Sequence, residues 1–225
     1  MRRKVLTAAL TAAWAGCIAV PGTASAGTLD QQQPNGGGVT FDVESGQSLA
    51  QTFTAGISGG LDQVDLKLVA SGPGPTLPLT VEIRNVSAGS PGGTVLGSGS
   101  IPASAAPATP AAFVSLAFTN PAPVTAGTQY AIVAYNADVY PQRWGWAVDA
   151  TNPYAPGLTF HQETSPPGPT WLSDAESDLA FKTYVLKPTP IATTGQRAAA
   201  LKKCKKKRSK AKRRKCRKKA KKLPL

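Results

Sequence analysis

The chain has 225 residues, with 25 Lys and Arg against 12 Asp and Glu, one His and three Cys. That length suits one domain with appendages, or two small ones, and a single imidazole disfavours His-rich metal sites. Split by position, the charge divides: residues 27–190 hold five cations and all twelve acids, whereas residues 197–222 hold seventeen cations and no acid. The net +13 is the sum of an acidic body and a cationic tail.

Residues 1–26 read as a cleaved secretory signal peptide. Arg2-Arg3-Lys4 form the positive region, Val5 to Val20 the apolar run, and Ala24-Ser25-Ala26 the cleavage site. The apolar run is shorter than the roughly 20 residues of a spanning helix, so no membrane span is expected. Trp14-Ala15-Gly16-Cys17 gives the competing signal, because it resembles a bacterial lipobox with Cys17 as the lipid-bearing residue. That pattern wants an aliphatic residue where Trp14 stands. The expected location is secreted, extracellular or cell-surface associated.

Residues 27–187 alternate short apolar-patterned runs with Gly, Pro, Ser and Asn clusters. Val39, Phe41 and Val43 take every second place, as a half-buried strand requires. The same period recurs in Val64–Leu68, Leu79–Ile83, Val114–Phe118, Tyr130–Ala134 and Leu179–Val185. With Leu49–Thr54, Val95–Ile101 and Arg143–Val148 the total is about nine strands. One alternation per strand gives each sheet a wet and a dry face, and two dry faces must meet. The expected fold is all-β, a jelly-roll-like antiparallel β-sandwich. Ala103–Ala112 is expected to be an extended crossing loop.

Several segments of this stretch, in their order, resemble a known domain type. They are Gln51-Thr52-Phe53-Thr54-Ala55-Gly56, Leu61-Asp62-Gln63-Val64-Asp65-Leu66, Thr80-Val81-Glu82-Ile83-Arg84, Pro91-Gly92-Gly93-Thr94-Val95-Leu96, Val124 to Tyr130, and Trp144-Gly145. The series, over about residues 40–186, is similar to the choice-of-anchor type of bacterial extracellular β-sandwich domain. The resemblance implies a secreted, non-catalytic module with a lectin-like fold and supplies no binding residues.

Gly56-Ile57-Ser58-Gly59-Gly60 matches G-x-S-x-G, with Asp138, Asp149 and His161 downstream. A nucleophile elbow needs a strand, a sharp turn and a helix, and this segment lies between two strand patterns. It reads as a turn, and no enzymatic activity is expected. Six aromatic residues crowd between Tyr140 and Trp171. Aromatic faces stack on sugar rings, which makes Tyr140, Tyr154 and Trp171 the preferred glycan-contact candidates, placed in loops. Trp144 and Trp146 also qualify, but their spacing suits a pair of core plugs. Asp174, Glu176 and Asp178 alternate before the last strand and, with Asp62 and Asp65, are candidates for a structural Ca²⁺, or else solvated loop acids. No other cofactor is expected. Asn85-Val86-Ser87 fits a glycosylation sequon, to which the bacterial character of the leader gives little weight.

Residues 188–196 read as a linker. Beyond it, residues 197–225 form a polycationic tail expected to be disordered by self-repulsion. Its candidate anion-binding residues are Lys202, Lys203, Lys205, Lys206, Lys207, Arg208, Lys210, Lys212, Arg213, Arg214, Lys215, Arg217, Lys218 and Lys219. Without aromatics the tail cannot stack bases, so polyanion binding would be sequence-nonspecific. Anionic envelope polymers, polysaccharide, anionic lipids or released DNA are the expected partners, and the acidic body is another. Cys204 and Cys216 are disulfide candidates, within one tail or between chains. In one continuous helix they would stand about 18 Å apart along the axis, too far to bond. The tail resembles Lys/Arg-rich, two-cysteine C-termini of other exported high-GC bacterial proteins, which implies attachment.

The expectation is therefore a secreted, non-catalytic module held at an anionic surface by its tail. A carbohydrate-binding, lectin-like module with an incidental tail is the alternative, and a serine hydrolase a remote one.

Overall fold

The computed structural model describes residues 27–163, 170–188 and 196–223. The leader, Cys17 and the candidate cleavage site lie outside them. Thirteen strands occur among the described residues. In chain order they are β1 (Thr28–Gln33), β2 (Val39–Val43), β3 (Gln47–Thr54), β4 (Gly59–Ser71), β5 (Leu79–Ser87), β6 (Ser90–Ile101), β7 (Ala112–Val124), β8 (Gln129–Tyr135), β9 (Arg143–Asp149), β10 (Thr159–Glu163), β11 (Thr170–Asp174), β12 (Asp178–Leu179) and β13 (Phe181–Leu186). Eight of the nine expected runs lie within single strands, and the ninth, Leu179–Val185, is divided at Ala180 between β12 and β13. The crossing between β6 and β7 opens with a short 3₁₀ turn at Ala103–Ala105.

β4 organises the first sheet. It pairs with β7 along one edge and, along the other, with β13 over Gly60–Leu66 and then β9 over Leu68–Ser71. Where β4 and β9 part, Ala180 sits in the fork. Its N–H donates to Ala147 O, and its carbonyl accepts from Lys67 N–H and from the Trp146 indole. β1 flanks β13 and β2 flanks β9. The second sheet runs β11-β10-β3-β8-β5-β6, and all pairs are antiparallel. Strands consecutive in the chain mostly lie in different sheets, so the result is a two-sheet β-sandwich.

The alternation seen in sequence builds the core between the sheets. Leu49, Phe53, Ile132, Val81 and Ile83 come from one sheet, and Leu66, Leu68, Trp144, Trp146 and Phe181 from the other. At the β6–β7 edge the sheets close on glycine: a Cβ at Gly97 would stand 2.9 Å from Ala122 Cβ.

Three strands lack the sequence signal. β1 (TLDQQQ) has no apolar alternation and is an edge strand held by its ladder with β13, with Gln33 Nε2 donating to Asp178 O at 3.2 Å. β10 and β11 extend the second sheet as a hairpin. The wet-face expectation also fails there: Ala50, Ala131, Val133 and Phe160 form a second buried cluster, with Trp171 and Tyr135 packed against it.

Candidate functional site

The tail is where the expected disorder is corrected. Gln196–Lys205 forms helix α1 and Lys210–Ala220 helix α2, joined by a Cys204–Cys216 disulfide with a Cα–Cα distance of 5.5 Å. The bond fits because the tail is not one continuous helix. It breaks after Lys205, and Ser209 is extended (φ −83°, ψ 133°), so the chain turns back and the 18 Å of axial rise disappears. Ala200, Cys204, Cys216, Ala220 and Leu223 line an apolar seam between the helices.

Neither helix has an acid in its first turn to offset its charge, and like charges one turn apart oppose helix formation. Helices this short are marginal in water. The disulfide closes a loop of 12 residues, which in the chain-entropy account stabilises the closed form by about 3 kcal/mol. Lys202, Lys203 and Lys205 end α1 and Arg217, Lys218 and Lys219 end α2, where the helix dipole favours cations.

On α2 the cations are sorted. Lys210, Arg213, Arg214, Arg217, Lys218 and Lys221 line one open groove of about 580 Å³. Their spacing of i, i+3, i+4, i+7, i+8 and i+11 is one face of a helix. Lys212, Lys215 and Lys219 occupy other angles. Lys206, Lys207 and Arg208 lie in the break between the helices and are exposed. This face carries no apolar period; its signal in the sequence is the 3.6-residue period of the cations themselves.

The aromatic candidates do not converge. Trp144 and Trp146 are fully buried, their indole N–H groups donating to Leu77 O at 3.2 Å and Ala180 O at 2.9 Å. Tyr154, expected in an open loop, is 7% exposed and stacks edge-on against Phe181. Its hydroxyl bonds Gln31 at 2.8 Å, and burial pushes its pKa up to about 12. Trp171 is in β11, half-buried on the outer face of the second sheet. Tyr140 is 70% exposed, with the Arg143 guanidinium 5.0 Å from its ring centroid. It stands beside the first sheet, away from Trp171.

The acid candidates separate as well. Asp174 accepts from Glu176 N–H at 2.9 Å and Ser177 O–H at 2.6 Å, and Glu176 is exposed. Asp178 is fully buried, accepting from Gln51 Nε2 at 2.8 Å and Tyr154 N–H at 2.7 Å. It ties β12 to β3 and to the Tyr154 loop, and burial raises its pKa. Asp62 meets Gly27 N–H, and Asp65 accepts from the Tyr184 hydroxyl at 2.8 Å. Among the described residues no three His, Cys, Asp or Glu side chains group to hold a metal ion.

Ser58 accepts from Ala126 N–H at 2.9 Å, in a turn with no helix after it. His161 pairs with Leu49, five residues before the Thr54 end of β3 near Ser58, about 16 Å along the strand. Asp138 is spent on Thr76 and Leu77, and Asp149 on Thr151. The G-x-S-x-G match assembles no relay with these groups.

No family model matches the chain, and neither does any curated protein. No described helix is long and apolar enough to cross a membrane.

Proposed function

We propose that the protein is a secreted, non-catalytic β-sandwich module attached to an anionic envelope or matrix surface through its cationic tail. The observation that carries this reading is the segregation of charge: seventeen cations in residues 197–222, against twelve acids and five cations in residues 27–190. A cationic segment clamped into a hairpin loses less entropy on binding than a free one. The repeated passage of the chain between sheets supports a jelly-roll-like sandwich, in keeping with the choice-of-anchor resemblance.

The test is cosedimentation of residues 27–225 and 27–196 with purified cell envelope across a salt titration. Binding by the longer chain alone, released by salt, supports the reading. Binding of the shorter chain at high salt overturns it and favours the lectin-like alternative. That second reading rests on Tyr140, the most exposed of the five aromatic candidates. It predicts salt-tolerant glycan binding lost in Tyr140→Ala.

A further inference from the structure

From the sorted cations of α2 we infer that this helix, rather than the tail's total charge, is the contact surface, and that its partner is a single-chain polyphosphodiester such as poly(glycerol phosphate). The inference rests on the tail-attachment reading above. All three arginines of α2 (Arg213, Arg214 and Arg217) lie on the face that lines the groove, flanked by Lys210, Lys218 and Lys221. Lys212, Lys215 and Lys219 carry the same charge at other angles and are all lysine. A guanidinium grips phosphate in a bidentate, planar fashion, whereas an ammonium acts as a point charge. Arginine confined to one face is therefore the pattern of a phosphate reader, and a solubilising tail has no need of it.

The face has four tiers, Lys210, Arg213/Arg214, Arg217/Lys218 and Lys221. Successive tiers are about 5.4 Å apart, and the row spans about 16 Å. A flexible single chain can set one phosphate at each tier. A duplex holds its phosphates about 3.4 Å apart along each strand on a stiff cylinder, a poorer match to one straight row. On the other side of α2, Cys216 and Ala220 are committed to the seam with α1, so the disulfide also sets which face looks outward.

The experiment compares three full-chain variants for binding to poly(glycerol phosphate), with double-stranded DNA and heparin as rivals. Arg213→Gln/Arg214→Gln/Arg217→Gln is expected to lose at least tenfold in affinity. Lys212→Gln/Lys215→Gln/Lys219→Gln, with the same loss of charge and equal helicity by circular dichroism, is expected to lose less than threefold. Arg213→Lys/Arg214→Lys/Arg217→Lys is expected to fall between them. Equal losses in the two glutamine triples overturn the face while leaving tail attachment standing. No loss in either triple overturns both. Tighter binding to DNA or heparin than to poly(glycerol phosphate) overturns the partner class.

A second observation stands by itself at the other end of the chain. Gly27 N–H donates to Asp62 Oδ2 at 3.1 Å, while Asp62 Oδ1 is buried without a hydrogen-bond partner. A Cβ at residue 27 would stand 2.1 Å from that oxygen and 2.9 Å from Val185 N. Residue 27 is thus glycine pressed onto a carboxylate, next to Thr28↔Val185, the first pair of the β1–β13 ladder. The geometry points to a processing-made ion pair. Hydrolysis of the Ala26–Gly27 peptide adds one water across the bond, leaving a carboxylate on Ala26 and an ammonium on Gly27. That ammonium brings a positive charge and two further donors to Asp62, and fastens β1 in the mature protein.

The chain beginning at Gly27 is compared at pH 7 with its Nα-acetylated form, each with and without Asp62→Asn. Acetylation is expected to lower Tm by about 2–4 °C, and Asp62→Asn to remove that difference. Equal Tm for the free and acetylated chains overturns the ion pair. So does a secreted protein whose N-terminal residue is not Gly27.

Discussion

Trp144 and Trp146 take alternate places on β9, so the pleat sends both indoles to one side, and pairing with β2 and β4 makes that side the core. Trp146→Ala is expected to cost about 3–5 kcal/mol, read as a lower urea midpoint. The acids show how environment divides one residue type. Burial would raise the Asp138 carboxyl, but the bonds from Thr76 and Leu77 outweigh it and hold the pKa below its ordinary 3.8. Its folded-state pKa is lowered, so its contribution is fully present above the unfolded value. It drains as pH falls through the folded one. Asp138→Asn should therefore flatten the loss of stability below about pH 4, measured by urea unfolding at pH 5 and pH 2.5. Asp178 has the opposite sign. Burial raises its pKa, so it favours the fold most when protonated and less as pH rises past the ordinary carboxylate value. Asp178→Ala would leave Tyr154 N–H without its acceptor and Gln51 Nε2 with only the Thr52 carbonyl at 3.3 Å, a loss of about 1–3 kcal/mol that the same unfolding curves would show.

At the scale of elements, the strands with one apolar face were legible because period 2 writes burial directly into sequence. β1, β10 and β11 were not, since their place depends on neighbours: a polar edge strand is held by a ladder supplied from residues 148 to 157 positions away. The helices of the tail are the reverse case. Their residues tolerate helix, but their charge opposes it, and the disulfide decides. Cys204→Ser/Cys216→Ser should reduce helicity at 222 nm in circular dichroism while leaving the urea midpoint of the sandwich unchanged. A fall in that midpoint would mean that hairpin and sandwich unfold together.

For the whole molecule, an acidic body and a cationic hairpin share one chain, so attachment should depend steeply on ionic strength. Screening shortens from about 10 Å at 0.1 M to about 3 Å at 1 M salt. Envelope binding by residues 27–225 is expected to fall at least tenfold between these concentrations, read by cosedimentation. Composition, charge segregation and period 2 by themselves determined the all-β class, most of the strands and the cationic tail, because each is a local property of the chain. Tertiary structure alone decided that Tyr154 is buried, that Asp178 is a tie between strands, and that the tail folds back on itself. These depend on contacts between residues distant in sequence, and no local pattern encodes which partner a side chain will meet.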